Sequence, residues 1–167
     1  MLPFIVRNFA VHVDGQPKRG TGDQLSIPAL RLKTEEFRGG GMDIPVDLDL
    51  GMEKLEASWR QNNFDNQPYM LFGLAPGNLI PLTFRGHLHG ENGTQRPVII
   101  NMRSLITEVD PGSWEPGSKT EQNVTVNPHY LKITHGEYVI VEIDPYNSRR
   151  IINGVDQLAN MRVNLGL

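Results

Sequence analysis

An alternation of apolar and polar residues that twice reverses its phase limits this chain more than any other feature. Val46, Leu48, Leu50 and Met52 alternate with Asp47, Asp49, Gly51 and Glu53; beyond them the apolar positions are Leu55, Ala57 and Trp59, on the other parity. Successive side chains of a strand point to opposite faces, so no regular strand keeps both sets inside. Gly51 is the natural place for a bulge to absorb the change. A similar reversal lies upstream, where Leu25 and Ile27 give way to Leu30 and Leu32, and it calls for a bulge or bend near Pro28-Ala29. Between the two sits Arg38-Gly-Gly-Gly-Met-Asp43. Consecutive glycines accept positive φ and cost backbone entropy to order. Residues 30–58 therefore read as a long hairpin with a mobile tip at 39–43.

The same period recurs elsewhere. Phe9, Val11 and Val13 precede a turn at Asp14-Gly15, and strands are expected over Leu79–His89, Pro97–Val109, Gln122–Thr134 and Tyr138–Ile143. Helical signals are sparse. Met70, Leu71 and Leu74 form a stripe behind Pro68, which predicts a short helix at about 66–75 that Pro76-Gly77 stops. Val155, Leu158, Ala159, Arg162 and Leu165 predict another at about 156–164. With 17 glycines and 12 prolines in 167 residues, a mostly helical chain is a poor fit. The expected class is mainly β: two packed antiparallel sheets or a half-barrel sandwich, with one or two short flanking helices. Neither an internal repeat nor a linker divides residues 1–167, which read as a single domain.

Composition narrows the function. The net charge of −3 advertises no basic face for duplex binding, and the absence of cysteine excludes disulfides, thiolate zinc sites and thiol nucleophiles. Met1–Arg7 is too short and too soon charged for a signal peptide, and no apolar run approaches a membrane span. The sequons at Asn92 and Asn123 then read as coincidence. His87 and His89 are the best metal candidates, since alternate strand positions share a face and Glu91 follows. A site there would need a distant ligand such as His12, His129 or His135, and paired exposed histidines beside a turn are the plainer reading. No Gly-x-Ser-x-Gly elbow is present, and Gly39-Gly40-Gly41 is followed by neither the lysine nor the hydroxyl of a phosphate loop. Asp47 and Asp49 could form a carboxylate pair, but a solvated strand face is the simpler account. Trp59 and Trp114 could be platforms of a carbohydrate- or protein-binding sandwich. A tryptophan pinning a loop to a core is commoner. A chain with bulged strands and open edges fits an assembly unit better than any of these.

Specific strings point the same way. Lys33-Thr-Glu-Glu-Phe-Arg-Gly-Gly-Gly-Met-Asp-Ile-Pro-Val46 and Asp49-Leu-Gly-Met-Glu-Lys-Leu-Glu-Ala57 resemble the major tail tube proteins of contractile-tailed phages and the tube proteins of R-type pyocins. Phe72-Gly73-Leu74-Ala75, the stretch from Leu105 to Pro111-Gly112 with Trp114, and Val141–Asn147 match as well, as does, most strongly, Ile152–Leu167. The resemblance spans essentially the whole chain in order and departs at Asn160, where relatives tend to carry a small residue.

That resemblance implies a structural virion protein with no enzymatic activity and no cofactor. Six subunits would form a ring, and rings would stack into a rigid hollow tube inside a contractile sheath. The tube would grow on a baseplate around a tape measure protein, end at a terminator, cross the target envelope without stable membrane insertion and conduct DNA. It would be assembled in the host cytoplasm. A DNA-free pyocin-like particle is the alternative. A DNA channel should not grip phosphates. Asp47 and Asp49 are therefore expected to face the lumen, with Glu35 or Glu36 beside them, while Val46, Leu48 and Leu50 pack inward against the second sheet. Gly39, Gly40, Gly41, Met42, Asp43, Arg162, Leu165 and Leu167 are the candidates for contact between subunits or rings.

Overall fold

Strand makes up 55% of the chain and helix 7%, as the mainly β class requires. The computed structural model describes residues 3–167; Met1 and Leu2, part of the stretch read as no leader, lie outside the described residues. In chain order the elements are β1 (Phe4–Val13), β2 (Gln16–Pro17), β3 (Gly22–Ser26), β4 (Leu32–Phe37), β5 (Val46–Met52), β6 (Ala57–Gln61), α1 (Gln67–Met70), β7 (Ile80–Gly90), β8 (Gln95–Asp110), β9 (Gln122–His135), β10 (Tyr138–Asp144), β11 (Arg149–Ile152), β12 (Val155–Asp156) and α2 (Ala159–Leu165).

Ten strands form one antiparallel sheet in the order β12-β11-β10-β9-β8-β7-β1-β2, with β6 added to β9 and β3 to β6. The far side of β9 serves two neighbours: Gln122–Val126 pairs with β6 and Leu131–His135 with β10. Register shifts between β8 and β9 at Arg103/Ser104 and Ile106/Glu108 bend the long ribbon. The sheet curls until Trp59 of β6 meets Phe84 of β7 edge-on at 6.2 Å, although β8 and β9 separate the two strands in sheet order. Inside the curl lie Val11, Val13, Leu55, Ala57, Trp59, Leu82, Phe84, Ile100, Met102, Val124 and Val126, on the parity that the alternation assigns them. A single curled sheet thus encloses the core. The second sheet is the small one formed by β4 and β5.

That small sheet is the expected hairpin. Leu32 faces Met52 and Thr34 faces Asp49, so β5 holds one residue more than β4 across this interval, and Gly51 sits there at φ +109°. The predicted bulge at Gly51 is therefore present. Upstream, the chain leaves strand geometry between Ser26 and Leu32, around a buried Pro28. One expectation fails. Val46, Leu48 and Leu50 do not pack inward; they are 42%, 45% and 52% exposed. The hairpin projects from the curled sheet, and only Met52, at its base, packs half-buried against the core.

The helices also differ from their predicted spans. α1 ends at Met70 because Gly73 turns at φ +60° before Pro76. α2 begins at Ala159 because Val155 and Asp156 pair with Ile152 and Ile151. No helix of the described residues is long and apolar enough to cross a membrane.

Candidate functional site: an exposed hairpin and its surroundings

Residues directly opposite in an antiparallel pair share a face. Glu36 lies opposite Asp47 and Thr34 opposite Asp49, so Glu36, Asp47 and Asp49 come together on one side of the hairpin. Glu35 lies opposite Leu48 and Phe37 opposite Val46. Glu35 is thus separated from the other carboxylates and placed on the apolar side. Asp49 is also not free: it accepts hydrogen bonds from the Gly51 N–H at 2.8 Å and from Arg150 of β11 at 2.9 Å. These contacts, the Gly51 N–H first, hold its carboxyl below the ordinary range against a small opposing effect of burial. Through Arg150 the polar side of the hairpin is tied to the body. Asp47, Glu35 and Glu36 are exposed and in no ion pair among the described residues.

The tip is a closed turn. The Met42 N–H donates to the Gly39 carbonyl at 3.2 Å, Arg38 Nε donates to the Met42 carbonyl at 3.1 Å, and Gly41 takes φ +84°. Gly40 and Asp43 are exposed. At the other end of the chain, Arg162 donates to the Ser148 carbonyl at 2.8 Å and to Asp156 Oδ2 at 2.5 Å, which clamps α2 onto β12 and the turn before β11. Arg162 is therefore engaged within its own chain, whereas Leu165 and Leu167 stand 63% and 76% exposed.

His87 and His89 lie on β7, the first exposed and the second half-buried. Among the described residues no three His, Cys, Asp or Glu side chains converge as a metal site would need. His129, one of the possible distant ligands, is engaged elsewhere, by the Tyr146 hydroxyl and Asn127 Oδ1, both at 2.9 Å. Trp59 is a core residue and no platform. Trp114 is exposed and meets Phe64 edge-on at 5.6 Å.

A cleft of about 570 Å³ at the hairpin base was not foreseen. Met52, Leu55, Pro128, Ile143, Pro145, Tyr146, Leu158 and Met161 are its apolar lining. Its residues come from four separate stretches of the chain, so no local pattern reveals it. The nearest signal is the Asp144-Pro-Tyr-Asn147 turn, which sequence marks only as the end of the strand region.

A curled β-body that closes its core without its hairpin, and leaves the hairpin's apolar face bare, defines a class: a structural building block made to be covered by something else. A model of the family described as phage tail tube protein FII matches residues 3–166, and the chain belongs to that family. It is 31% identical over 170 residues to the tail tube protein of Escherichia phage P2, covering 99% of each chain. It is 30% identical over 148 residues to the major tail tube protein of Serratia phage KSP20, covering 87% of this chain and 85% of the relative. The fold recurs in the sheath/tube terminator of an extracellular contractile injection system (TM-score 0.61, 15% identity, 80% of this chain and 98% of the other). It recurs too in the anti-feeding prophage tube-terminating cap (TM-score 0.61, 17% identity, 80% and 92%). The role is thus that of a tail tube structural protein, a component of the virion.

Proposed function

We propose that copies of this chain assemble into hexameric rings that stack into the rigid inner tube of a contractile tail, a conduit for DNA. One observation carries the self-assembly. The chain exposes 11,191 Å², whereas a compact monomer of 18.8 kDa would expose about 8,300 Å². The excess, about 2,900 Å², is within the roughly 2,000–5,000 Å² that obligate partners bury. Bare apolar residues of the hairpin contribute to it. Its tip (Gly39, Gly40, Gly41, Met42, Asp43) and the exposed Leu165 and Leu167 are the places where a neighbour is met, and Arg162 holds the terminal helix in position for that contact.

In this reading residues 1–167 are one domain whose hairpin is mobile until a neighbour covers it. Glu36, Asp47 and Asp49 face the lumen, where carboxylates repel phosphates. This favours a DNA conduit over a DNA-free particle. The chain is no enzyme and needs no cofactor. Its partners are further copies of itself, a sheath outside, a tape measure protein and passing DNA within, and a baseplate hub and terminator at the ends. Assembly takes place in the host cytoplasm. The likeness to sheath-tube and terminator components of contractile systems supports the sheath and the terminator among these partners. Negative-stain microscopy of the concentrated protein should show rings or tubes. Monomers alone at high concentration, with the hairpin amides of 32–52 unprotected from exchange, would overturn the reading.

A further inference from the structure

Resting on that reading and going one step beyond it, we propose that the cleft at the hairpin base receives the apolar side of the hairpin of a second copy. The two surfaces are complementary and lie on the same chain. The cleft presents Leu55, Tyr146, Leu158 and Met161. The hairpin presents Phe37, Ile44, Val46 and Leu48, which are 50%, 68%, 42% and 45% exposed. Charge agrees with shape. Lys54 and Arg149 line the cleft, are exposed, and join no ion pair among the described residues; with Glu53 the one exposed acid beside them, these exposed groups sum to one positive charge. Glu35, on the apolar side of the hairpin, and Asp43 at its tip are likewise exposed and without an ion pair there.

The hairpin cannot fill its own cleft. Met52 ends β5 and lines the cleft, while Val46 at the other end of the strand is about 20 Å away at the strand rise of ~3.3 Å per residue. Arg150 lines the cleft and donates to Asp49 at 2.9 Å, which ties the base of the hairpin, not its tip, beside the cleft. The occupant is therefore another chain. Insertion of one copy's hairpin into the next copy's base is a head-to-tail contact, which closes a ring or propagates along a stack according to the rotation it imposes.

The absence of cysteine makes the test clean. Ile44→Cys and Met161→Cys are made separately, mixed, assembled and treated with a short bismaleimide. Tubes from the mixture should yield a cross-linked dimer that neither variant yields alone. Tubes without that dimer overturn the inference in either of two ways. A Met161→Cys thiol open to a monofunctional maleimide means an empty cleft, and the same thiol protected but unlinked means another segment occupies it. Failure of the unsubstituted protein to form any tube would instead overturn the assembly reading. Both positions are exposed, so folding should survive, and a Leu48→Cys/Tyr146→Cys pair supplies a second geometry should either variant melt early. Met161→Glu should lower the assembled fraction about tenfold, by putting a charge where an apolar face must dock, while leaving the protomer's melting temperature in place.

Discussion

At the scale of single residues, the chain separates what holds the body together from what it offers to others. Trp59 is buried and meets Phe84 edge-on at 6.2 Å. Trp59→Ala should cost about 3–5 kcal/mol through lost burial and the cavity left behind, lowering the protomer's melting temperature by roughly 10 °C; a circular dichroism melt checks it. Asp156 shows the opposite kind of dependence. Its bond to Arg162 first, and the Leu158 N–H second, hold its carboxyl below the ordinary value of 3.8. A depressed folded-state pKa contributes stability above the unfolded-state pKa and loses it as pH falls through the folded-state pKa. Arg162→Met should therefore lower the melting temperature at pH ~7, and its deficit against the parent should shrink below pH ~4. Parallel melts across that range test this, and a constant deficit would sink it. Trp59 was legible as core because it shares the parity of Leu55 and Ala57. The grouping of Glu36 with Asp47, and the exile of Glu35, was not, because it depends on cross-strand register set by the bulge at Gly51.

Among the elements, the hairpin is a unit of its own. β4 and β5 pair only with each other, and none of the fully buried core residues comes from them. Leu48→Pro, which removes the donor of a strand-pairing position opposite Glu35, should abolish tubes while leaving the body's melting transition within about 2 °C. Microscopy and calorimetry on one sample decide it; normal tubes would show that pairing within β5 is not needed for assembly. Gly51→Ala acts more gently. Its φ of +109° is strained for any side chain, though a Cβ there would meet nothing within 4 Å. It should shift the concentration needed for assembly upward without moving the core's transition. Long strands such as β7, β8 and β9 were readable because each repeats its alternation over many residues. β11 and β12 were not: Arg149–Ile152 carries two arginines before its two isoleucines, and Val155–Asp156 is too short to show any period. Their pairing also shortened the predicted terminal helix, since tertiary hydrogen bonds outweighed helical spacing at Val155.

For the whole molecule the question is what the proposed ring would do with a net charge of −3 per chain. If Glu36 and Asp47 line a channel, every copy adds the same carboxylates to it, and a duplex inside meets repulsion from them. Short duplex DNA should then fail to co-sediment with tubes of the unsubstituted protein at low salt. A Glu36→Lys/Asp47→Lys double variant reverses the sign at exposed positions outside the core, so its body should fold and melt as before. Its tubes should hold DNA, and because each ring repeats both substitutions, even about six phosphate contacts would make binding fall by roughly 10³ between 50 and 200 mM salt. That steep salt dependence distinguishes a charged lining from incidental adhesion at tube ends. If the double variant forms tubes that take up no more DNA than the parent, these carboxylates do not face the channel.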